Sequence, residues 1–221
     1  MNKDELSLAV KRHATSKLPV GNLFDIKSFG FRGEALPSIA AVSDLEISSR
    51  ARTLEHGWKI RIEHGDVHEP EPVAHPVGTT VCVKELFEKI PARRKFLKTQ
   101  RTESGQCIEV IKQLAMATPD VSFIFTDTGK TLLNLPARTD ENSAIRDRLS
   151  DVMSHVFAKE AVMLDAQKDT CSLLGLMGLP TMNRPTTQYM NIFVNQRPLK
   201  DKQLIGAVRA AYSDTLPKGR Y

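Results

Sequence analysis

Two glycines three residues apart, Gly30 and Gly33, lie directly before an apolar stretch whose spacing has a helical period. Glycine allows a positive φ and a close approach of the backbone to a ligand. A helix N-terminus adds free N–H groups and a partial positive charge, which together form an anion site. This loop, which encloses Phe31 and Arg32, therefore suits the binding of a phosphate group. By spacing alone, the plainer interpretation is a turn that caps the next helix.

A second polar cluster lies upstream, where residues 12–17 read RHATSK. The hydroxyls of Thr15 and Ser16 and the ammonium group of Lys17 are groups that serve a nucleotide phosphate. The alternative is a polar helix terminus whose cations interact with the helix dipole. Taken alone, this segment favours the alternative.

Basic residues concentrate at 89–101, a stretch with six Lys or Arg and no acid. Because Phe96 is interleaved among them, the stretch could lie along a nucleic-acid backbone. A solvated loop that leads into a helix is the alternative, with equal weight. Lys112 taken by itself indicates no more than a surface lysine.

Hydrophobic spacing predicts the elements that must position these residues. The predicted helices span 4–13, 104–117, 143–153 and 202–212, with a further helix that begins at 33–34; the predicted strands span 45–48, 58–62, 79–83, 121–125, 131–135, 171–177 and 189–194. Residues 63–72 read as a solvated loop, and Cys107 is expected on the buried face of its helix. Because strands alternate with helices, we expect an α/β fold with helices on one face of a mixed sheet.

Composition excludes several classes of protein. The 221 residues are 41% apolar and 26% charged, with a net charge of +5, as in an ordinary globular protein. No apolar run is long enough to span a membrane, and no signal peptide is visible. Three scattered cysteines favour a reducing compartment, and hence the cytoplasm. The six histidines have no ligand spacing, so no metal site is predicted.

Several strings, taken together, resemble the MutL family of DNA mismatch repair proteins. They are RHATSK at 12–17, GFRGEAL at 30–36, SIAAVS at 38–43, HPVGTT at 75–80, PARRKFL at 91–97 and VNQR at 194–197. Their order and spacing hold across essentially the whole chain. Several strings in register are far more specific than a single G-x-x-G pair.

The resemblance implies a GHKL-type ATPase, the group that includes DNA gyrase and histidine kinases, in which a lid closes over ATP and Mg²⁺. It implies a partial ATPase domain over residues 1–137, followed by a partial transducer domain over 138–221 with a mixed sheet and crossover helices. The nucleotide-binding residues that it implies are Thr15, Ser16, Lys17, Gly30, Phe31, Arg32, Gly33 and Thr80.

The resemblance also implies a positively charged groove that contacts DNA without reading its sequence. The residues expected there are Arg93, Arg94, Lys112, Arg197, Lys200 and Lys202. The implied partners are DNA, a MutS-type mismatch sensor and downstream repair enzymes, with ATP-dependent homodimers or heterodimers of the full-length protein. No membrane partner is expected.

The chain departs from the family pattern in one respect. In the family, the general base, the Mg²⁺-binding Asn and the D-x-G-x-G adenine motif precede the lid. A Lys that contacts phosphate follows near the end of the second domain. This sequence contains none of the four. We therefore expect a fragment, cut at both ends, that does not bind ATP and Mg²⁺ as competently as the full-length family and does not hydrolyse ATP, and we assign it no catalytic residue. The alternative is a non-enzymatic remnant with weak nonspecific nucleic-acid binding. A type II topoisomerase subunit is disfavoured by the PARRKFL and VNQR strings.

Overall fold

The computed structural model describes residues 1–17, 30, 32–140, 142–217 and 219–221. The chain divides into two compact units, Met1–Lys98 and Thr99–Tyr221. Each unit is described by itself. The domain boundary after residue 137 stays a prediction, because a unit defined by contacts need not coincide with a domain.

The first unit is built on one antiparallel sheet. Its helices are α1 (Lys3–Ala9), α2 (Ala35–Ala40) and α3 (Pro91–Arg94), and its strands are β1 (Asp44–Arg50), β2 (Gly57–Glu63), β3 (Asp66–Val67), β4 (Glu71–Val73) and β5 (Gly78–Lys84). The strand order is β3-β2-β1-β5, and β4 also pairs with β2. Strand β1 is therefore central, with β2 on one side and β5 on the other.

The core of the first unit forms on one face of β1 and β2. Alternate residues of a strand share a face, and the pairs Leu45–Ile62 and Ile47–Ile60 lie opposite each other in the register. These four side chains and Leu6 of α1 are at most 1% exposed. The apolar alternation that predicts strands here is thus the same pattern that builds the core.

Helix α1 begins with a reciprocal cap. The Asn2 side chain accepts a hydrogen bond from the Glu5 amide at 2.8 Å, and the Glu5 carboxylate accepts one from the Asn2 amide at 2.7 Å. The helix ends at Ala9, so the predicted extension to residue 13 is wrong. His13 has φ +64°, which an α-helix does not accommodate.

The second unit consists of helices and three separate hairpins. The helices are α4 (Gln100–Ala117), α5 (Ala144–Val152), α6 (His155–Glu160) and α7 (Lys202–Ala211); the strands are β6 (Phe123–Asp127), β7 (Lys130–Leu135), β8 (Val162–Lys168), β9 (Cys171–Met177), β10 (Ile192–Val194) and β11 (Arg197–Leu199). Strands β6 and β7, β8 and β9, and β10 and β11 pair as antiparallel hairpins.

A buried arginine joins the loops of the second unit. Arg148 of α5 is fully buried, and its Nη2 donates to the carbonyls of Pro119, Val121 and Pro136 at 2.7–2.9 Å. Burial lowers the pKa of this guanidinium group. Arg148 therefore ties α5 to both ends of the β6–β7 hairpin.

Three further expectations need correction. Residues 63–72 are not a continuous loop, because β3 and β4 pair with β2 through backbone hydrogen bonds that side-chain polarity does not report. Cys107 is exposed, although Ala115 on the same helix is buried. The predicted strand at 189–194 begins only at Ile192, after a single 3₁₀ turn at Thr187–Tyr189. Sequence reasoning also missed α6, β8 and β11.

The α/β fold class is confirmed by these helices and strands. Among the described strands every pairing is antiparallel, so the parallel pairs of the expected mixed sheet are not among them. Within the described part of the chain, no helix is both long enough and apolar enough to cross a membrane.

Candidate functional site

The structure brings residues 12–17 and the glycine loop together, as the phosphate hypothesis requires. The His13 amide donates to the Gly33 carbonyl at 3.1 Å. A Cβ atom at Gly33 would lie 2.4 Å from the Ala14 carbonyl oxygen, and its φ is +64°. Only glycine meets both demands, so Gly33 allows the two segments to touch.

Lys17 lies beside the first glycine of the loop. A Cβ atom at Gly30 would be 3.7 Å from Lys17 Nζ. The Thr15 hydroxyl accepts a hydrogen bond from the Lys17 amide at 3.1 Å, which holds the local turn. Ser16 and Lys17 are exposed and Thr15 is half-buried. Phe31 lies outside the described residues.

Glu34, which belongs to the GFRGEAL string, brings a negative charge to the loop. Its carboxylate lies 3.0 Å from Arg32 Nε and 3.3 Å from His13 Nδ1. Arg32 is 76% exposed, so the pair is weak and can be exchanged for another anion. Helix α2, which follows Glu34, has only six residues. Its dipole can therefore supply only a small part of any attraction for an anion.

Thr80 belongs to a separate cluster on strand β5. Its hydroxyl lies 2.8 Å from His75 Nε2, and His75 Nδ1 lies 2.7 Å from the Pro76 carbonyl oxygen. Thr79 instead contacts the hydroxyl of the fully buried Ser49 at 2.8 Å. The two threonines of the GTT string thus have different neighbours. His75 was missed, although it lies in the quoted HPVGTT string.

An open cleft of about 690 Å³ borders His75. The cleft is also lined by Arg50 at the end of β1 and by Glu55 and His56 in the β1–β2 loop. Its other side is formed by residues 72–76, which precede β5. Arg50 Nη1 donates to the Glu55 carbonyl at 3.3 Å. Among the described residues, none of 12–17 or of the glycine loop lines this cleft, which adjoins His75 of the Thr80 cluster.

The two predicted DNA contacts of the first unit lie on helix α3. Arg94 forms an ion pair with Glu88 at 2.8 Å, and the Arg93 guanidinium lies 6.0 Å from the centre of the Phe87 ring. Phe96 is 69% exposed. The segment is therefore a basic surface with an exposed aromatic ring, partly neutralised by one acid.

The remaining basic residues lie in the second unit, on elements that pack together. Lys112 is on α4, where it pairs with Glu109 at 2.8 Å. Helix α4 packs against β11, which begins at Arg197. Lys200 and Lys202 follow, both exposed, and the Asp201 side chain between them caps α7 by accepting from the Gln203 and Leu204 amides. The fold thus gathers these cations on neighbouring elements of one unit.

One cluster consists of residue types that can bind a metal ion, although the sequence predicts no metal site. Nε2 of His64 lies 3.3 Å from Asp44 and 3.8 Å from Glu85, and the three groups lie within 4.8 Å of one another. The three side chains thus meet where the start of β1, the β2–β3 turn and the end of β5 come together. As expected, His64 and His68 share no helix: His64 lies at the β2–β3 turn with φ +51°.

Comparison with solved structures defines the class of protein. The ATPase domain of MutL from Aquifex aeolicus, solved with ADP, is 30% identical, with a TM-score of 0.64; the match covers 80% of this chain and 67% of that one. A solved N-terminal domain of a DNA repair protein shares the fold, with a TM-score of 0.72 over 97% of this chain and 67% of that one, at 22% identity. The chain therefore has the fold of a MutL-type ATPase domain.

Sequence comparison gives the family. MutL of Paramagnetospirillum magneticum is 46% identical over 100% of this chain and 37% of its own length. MutL of Rhizorhabdus wittichii is 45% identical over 100% of this chain and 36% of its own length. Residues 149–221 match the family model "DNA mismatch repair protein, C-terminal domain". The chain belongs to the MutL family of DNA mismatch repair proteins, and it spans about a third of the length of these relatives.

Proposed function

We propose that this chain supplies the phosphate-binding lid and part of the DNA-binding surface of a mismatch repair ATPase. In the whole protein, ATP binding would drive dimerisation, and the dimer would couple a MutS-type mismatch sensor to strand incision. The observation that carries the proposal is the contact between residues 12–17 and the glycine loop, with Lys17 Nζ beside Gly30. Lys17, Arg32 and the loop amides would hold the phosphates, with Thr15, Ser16 and Phe31 nearby, whereas Thr80 lies in a separate cluster with His75.

Thermal melting with a non-hydrolysable ATP analogue and Mg²⁺ tests the lid. A ligand at 100 times its Kd stabilises the folded state by about 2.7 kcal/mol, which raises the melting temperature measurably. We expect Lys17→Ala to remove most of this gain, whereas Lys11→Ala, an exposed lysine outside the lid, retains it. Equal stabilisation of both variants would contradict the assignment.

A glycine pair gives a matched control for the loop. Gly33→Ala would place a Cβ 2.4 Å from the Ala14 carbonyl oxygen, whereas a Cβ at Gly65 meets nothing within 4 Å, although both residues have positive φ. Both variants carry the backbone strain, but only Gly33→Ala separates the lid segments. We expect the ATP-dependent shift to disappear in Gly33→Ala and to persist in Gly65→Ala.

We further propose that the 221 residues alone do not hydrolyse ATP. General-base activation of water needs a positioned acid or base, and the motifs that the family resemblance assigns to this step are not in the sequence. Phosphate release should therefore stay at background with ATP and Mg²⁺. Turnover that Lys17→Ala abolishes would refute this proposal.

For DNA, we propose contacts to the backbone through Arg93 and Arg94 in the first unit and through Lys112, Arg197, Lys200 and Lys202 in the second. Affinity should then fall with salt, with a slope of about −0.9 per neutralised phosphate. Replacing both Lys200 and Lys202 with alanine should reduce the slope by about 2, equally for unrelated sequences. Replacing Lys168, an exposed lysine of β8, should leave it unchanged. A slope that does not respond to the double variant would exclude these contacts.

A further inference from the structure

We propose that Asp44, His64 and Glu85 form a binding site for one divalent transition-metal ion, with Zn²⁺ as the occupant. Each residue offers one ligand atom, and these three atoms lie within 4.8 Å of one another. The residues are far apart in the sequence, so no local ligand spacing indicates the site. The inference goes beyond the proposed function, because it needs neither a nucleotide nor DNA.

The sheet brings the three side chains to one of its ends. Asp44 is the first residue of the central strand β1, where it lies opposite Glu63 of β2 and Lys84 of β5. His64 and Glu85 are the next residues along those two strands, and both have positive φ, +51° and +53°. Each flanking strand therefore turns directly beside Asp44, and the two turning residues bring their side chains to its carboxylate.

Two of the ligands are held firmly and the third lies at the open side. The His64 side chain is only 10% exposed, and its backbone amide donates to the carbonyl of the fully buried Ser43 at 3.1 Å. The Asp44 side chain is 21% exposed, whereas that of Glu85 is 57% exposed. An ion can therefore enter past Glu85 and meet two side chains that are already in position.

Asp44 supplies an independent observation that points to a ligand. Its Oδ1 atom is buried, and no group among the described residues donates a hydrogen bond to it. Nε2 of His64 is only 3.3 Å away, but this contact does not have the geometry of a hydrogen bond. A buried acceptor without a donor is costly, and an ion is one of the few explanations for such an atom. A cation bound by Oδ1 and Nε2 together would satisfy both atoms.

The ligand types and their separations select the kind of ion. Zn²⁺ binds imidazole nitrogen and carboxylate oxygen at about 2.0–2.2 Å, so two ligand atoms at a tetrahedral angle lie about 3.3–3.6 Å apart. The 3.3 Å between Nε2 and the Asp44 oxygen fits this value, and a movement of the exposed Glu85 side chain closes its longer separation of 3.8 Å from Nε2.

Charge and ligand preference agree with this choice. A metal ion binds the neutral form of the imidazole, so the two carboxylates balance the charge of a divalent ion. Mg²⁺ and Ca²⁺ prefer sites made of oxygen ligands alone, which the imidazole of His64 does not provide. Three protein ligands leave the fourth position of a tetrahedron to water.

The first arm of the test measures Zn²⁺ binding to the full chain without an affinity tag. Calorimetry should show one site for Zn²⁺ that Mg²⁺ does not compete for. Even an outer group that only supports a ligand is worth about 10–100-fold in metal affinity, so we expect His64→Gln and Glu85→Gln each to weaken binding at least tenfold. Because Glu85 is exposed, its variant remains informative if the buried His64→Gln fails to fold.

His68→Gln is the matched control. The His68 imidazole is 53% exposed and lies 3.8 Å from one acid, Glu63, rather than between two. This variant should bind Zn²⁺ with unchanged affinity. Equal affinities in Glu85→Gln and His68→Gln would overturn the proposal.

The second arm identifies the ligand atom. In long-range ¹H–¹⁵N NMR spectra of the full chain, one equivalent of Zn²⁺ should move the Nε2 resonance of His64 and leave the five other histidines in place. Zn²⁺ bound by a cysteine thiolate, with the His64 resonance unmoved, would overturn the proposal, as would the absence of binding. Neither arm needs ATP, so a failure here is distinct from a failure of the lid assignment.

Discussion

The two units of this chain are stabilised by different chemistry. In the first, strand β1 has a partner on each side, and its inward side chains meet those of β2 and α1 in a fully apolar cluster. Among the described residues of the second, each hairpin strand pairs only with the other strand of its hairpin, and the largest fully buried side chain is that of Arg148. In the first unit, the alternation of apolar residues along a central strand builds the core. In the second, a buried arginine links the loops beside the β6–β7 hairpin.

Each unit has its own optical probe, which makes the comparison testable. The one tryptophan, Trp58, packs against the core of the first unit. The three tyrosines, Tyr189, Tyr212 and Tyr221, all lie in the second. Tryptophan and tyrosine emission therefore report the unfolding of different units in a single urea titration.

The largest effect is expected from Ile47→Ala in the first unit. Ile47 is fully buried at the centre of β1, and such truncations cost about 2–5 kcal/mol. The tryptophan transition should shift to lower urea. Val67→Ala, at a side chain that is 60% exposed, should shift it by less than about 0.5 kcal/mol. A similar shift in both variants would show that the cluster does not stabilise this unit.

The next effect is expected from Arg148→Met in the second unit. The change removes the hydrogen bonds that the charged Nη2 donates to the carbonyls of Pro119, Val121 and Pro136, each worth about 1.5–3 kcal/mol, while removal of a buried charge offsets part of the loss. We expect a net loss of roughly 2–4 kcal/mol in the free energy of unfolding, seen in the tyrosine signal. A neutral or stabilising result would mean that the loops hold their positions without this link.

A smaller effect is expected from Arg138→Gln, also in the second unit. Arg138 donates to both carboxylate oxygens of Asp151, at 3.0 and 2.8 Å, and this partner raises the pKa of the guanidinium group. Because the pair is partly exposed, its loss should lower the free energy of unfolding by less than either change above. High salt should reduce the difference from the unmodified chain.

The smallest effect concerns acid stability. The Ser104 hydroxyl and the Gln100 amide donate to Asp127 and lower the pKa of its carboxyl group. A carboxyl group whose pKa is lowered by folding stabilises the folded state at pH values above its unfolded-state pKa of about 3.9. This stabilisation is lost as the pH falls through the folded-state pKa. Ser104→Ala should therefore be less stable than the unmodified chain at neutral pH, and the difference should shrink below about pH 4. Ser172→Ala in β9 should show no such pH dependence.

Sequence reasoning worked best where burial and spacing agree. The strands at Leu45 and Ile60 and the helix that contains Ala115 were predicted correctly, because their apolar residues repeat with the period of the element. It failed where the backbone alone decides: β3 and β4 are exposed strands held by pairing with β2, and their polarity resembles that of a loop. The exposure of Cys107 likewise depends on neighbours that no local pattern encodes.

By itself, the sequence determined the family, the order of the motifs and the residue types available for phosphate and DNA, since these depend only on identity and spacing. The tertiary structure alone decided which of these groups meet. It brought Lys17 to Gly30, set Glu34 beside Arg32, and turned Thr80 toward His75 and Thr79 toward Ser49. The physical reason is that hydrogen-bond polarity and ion pairing depend on contacts a few ångströms long, and the folding of the sheet and the glycine turns creates those contacts.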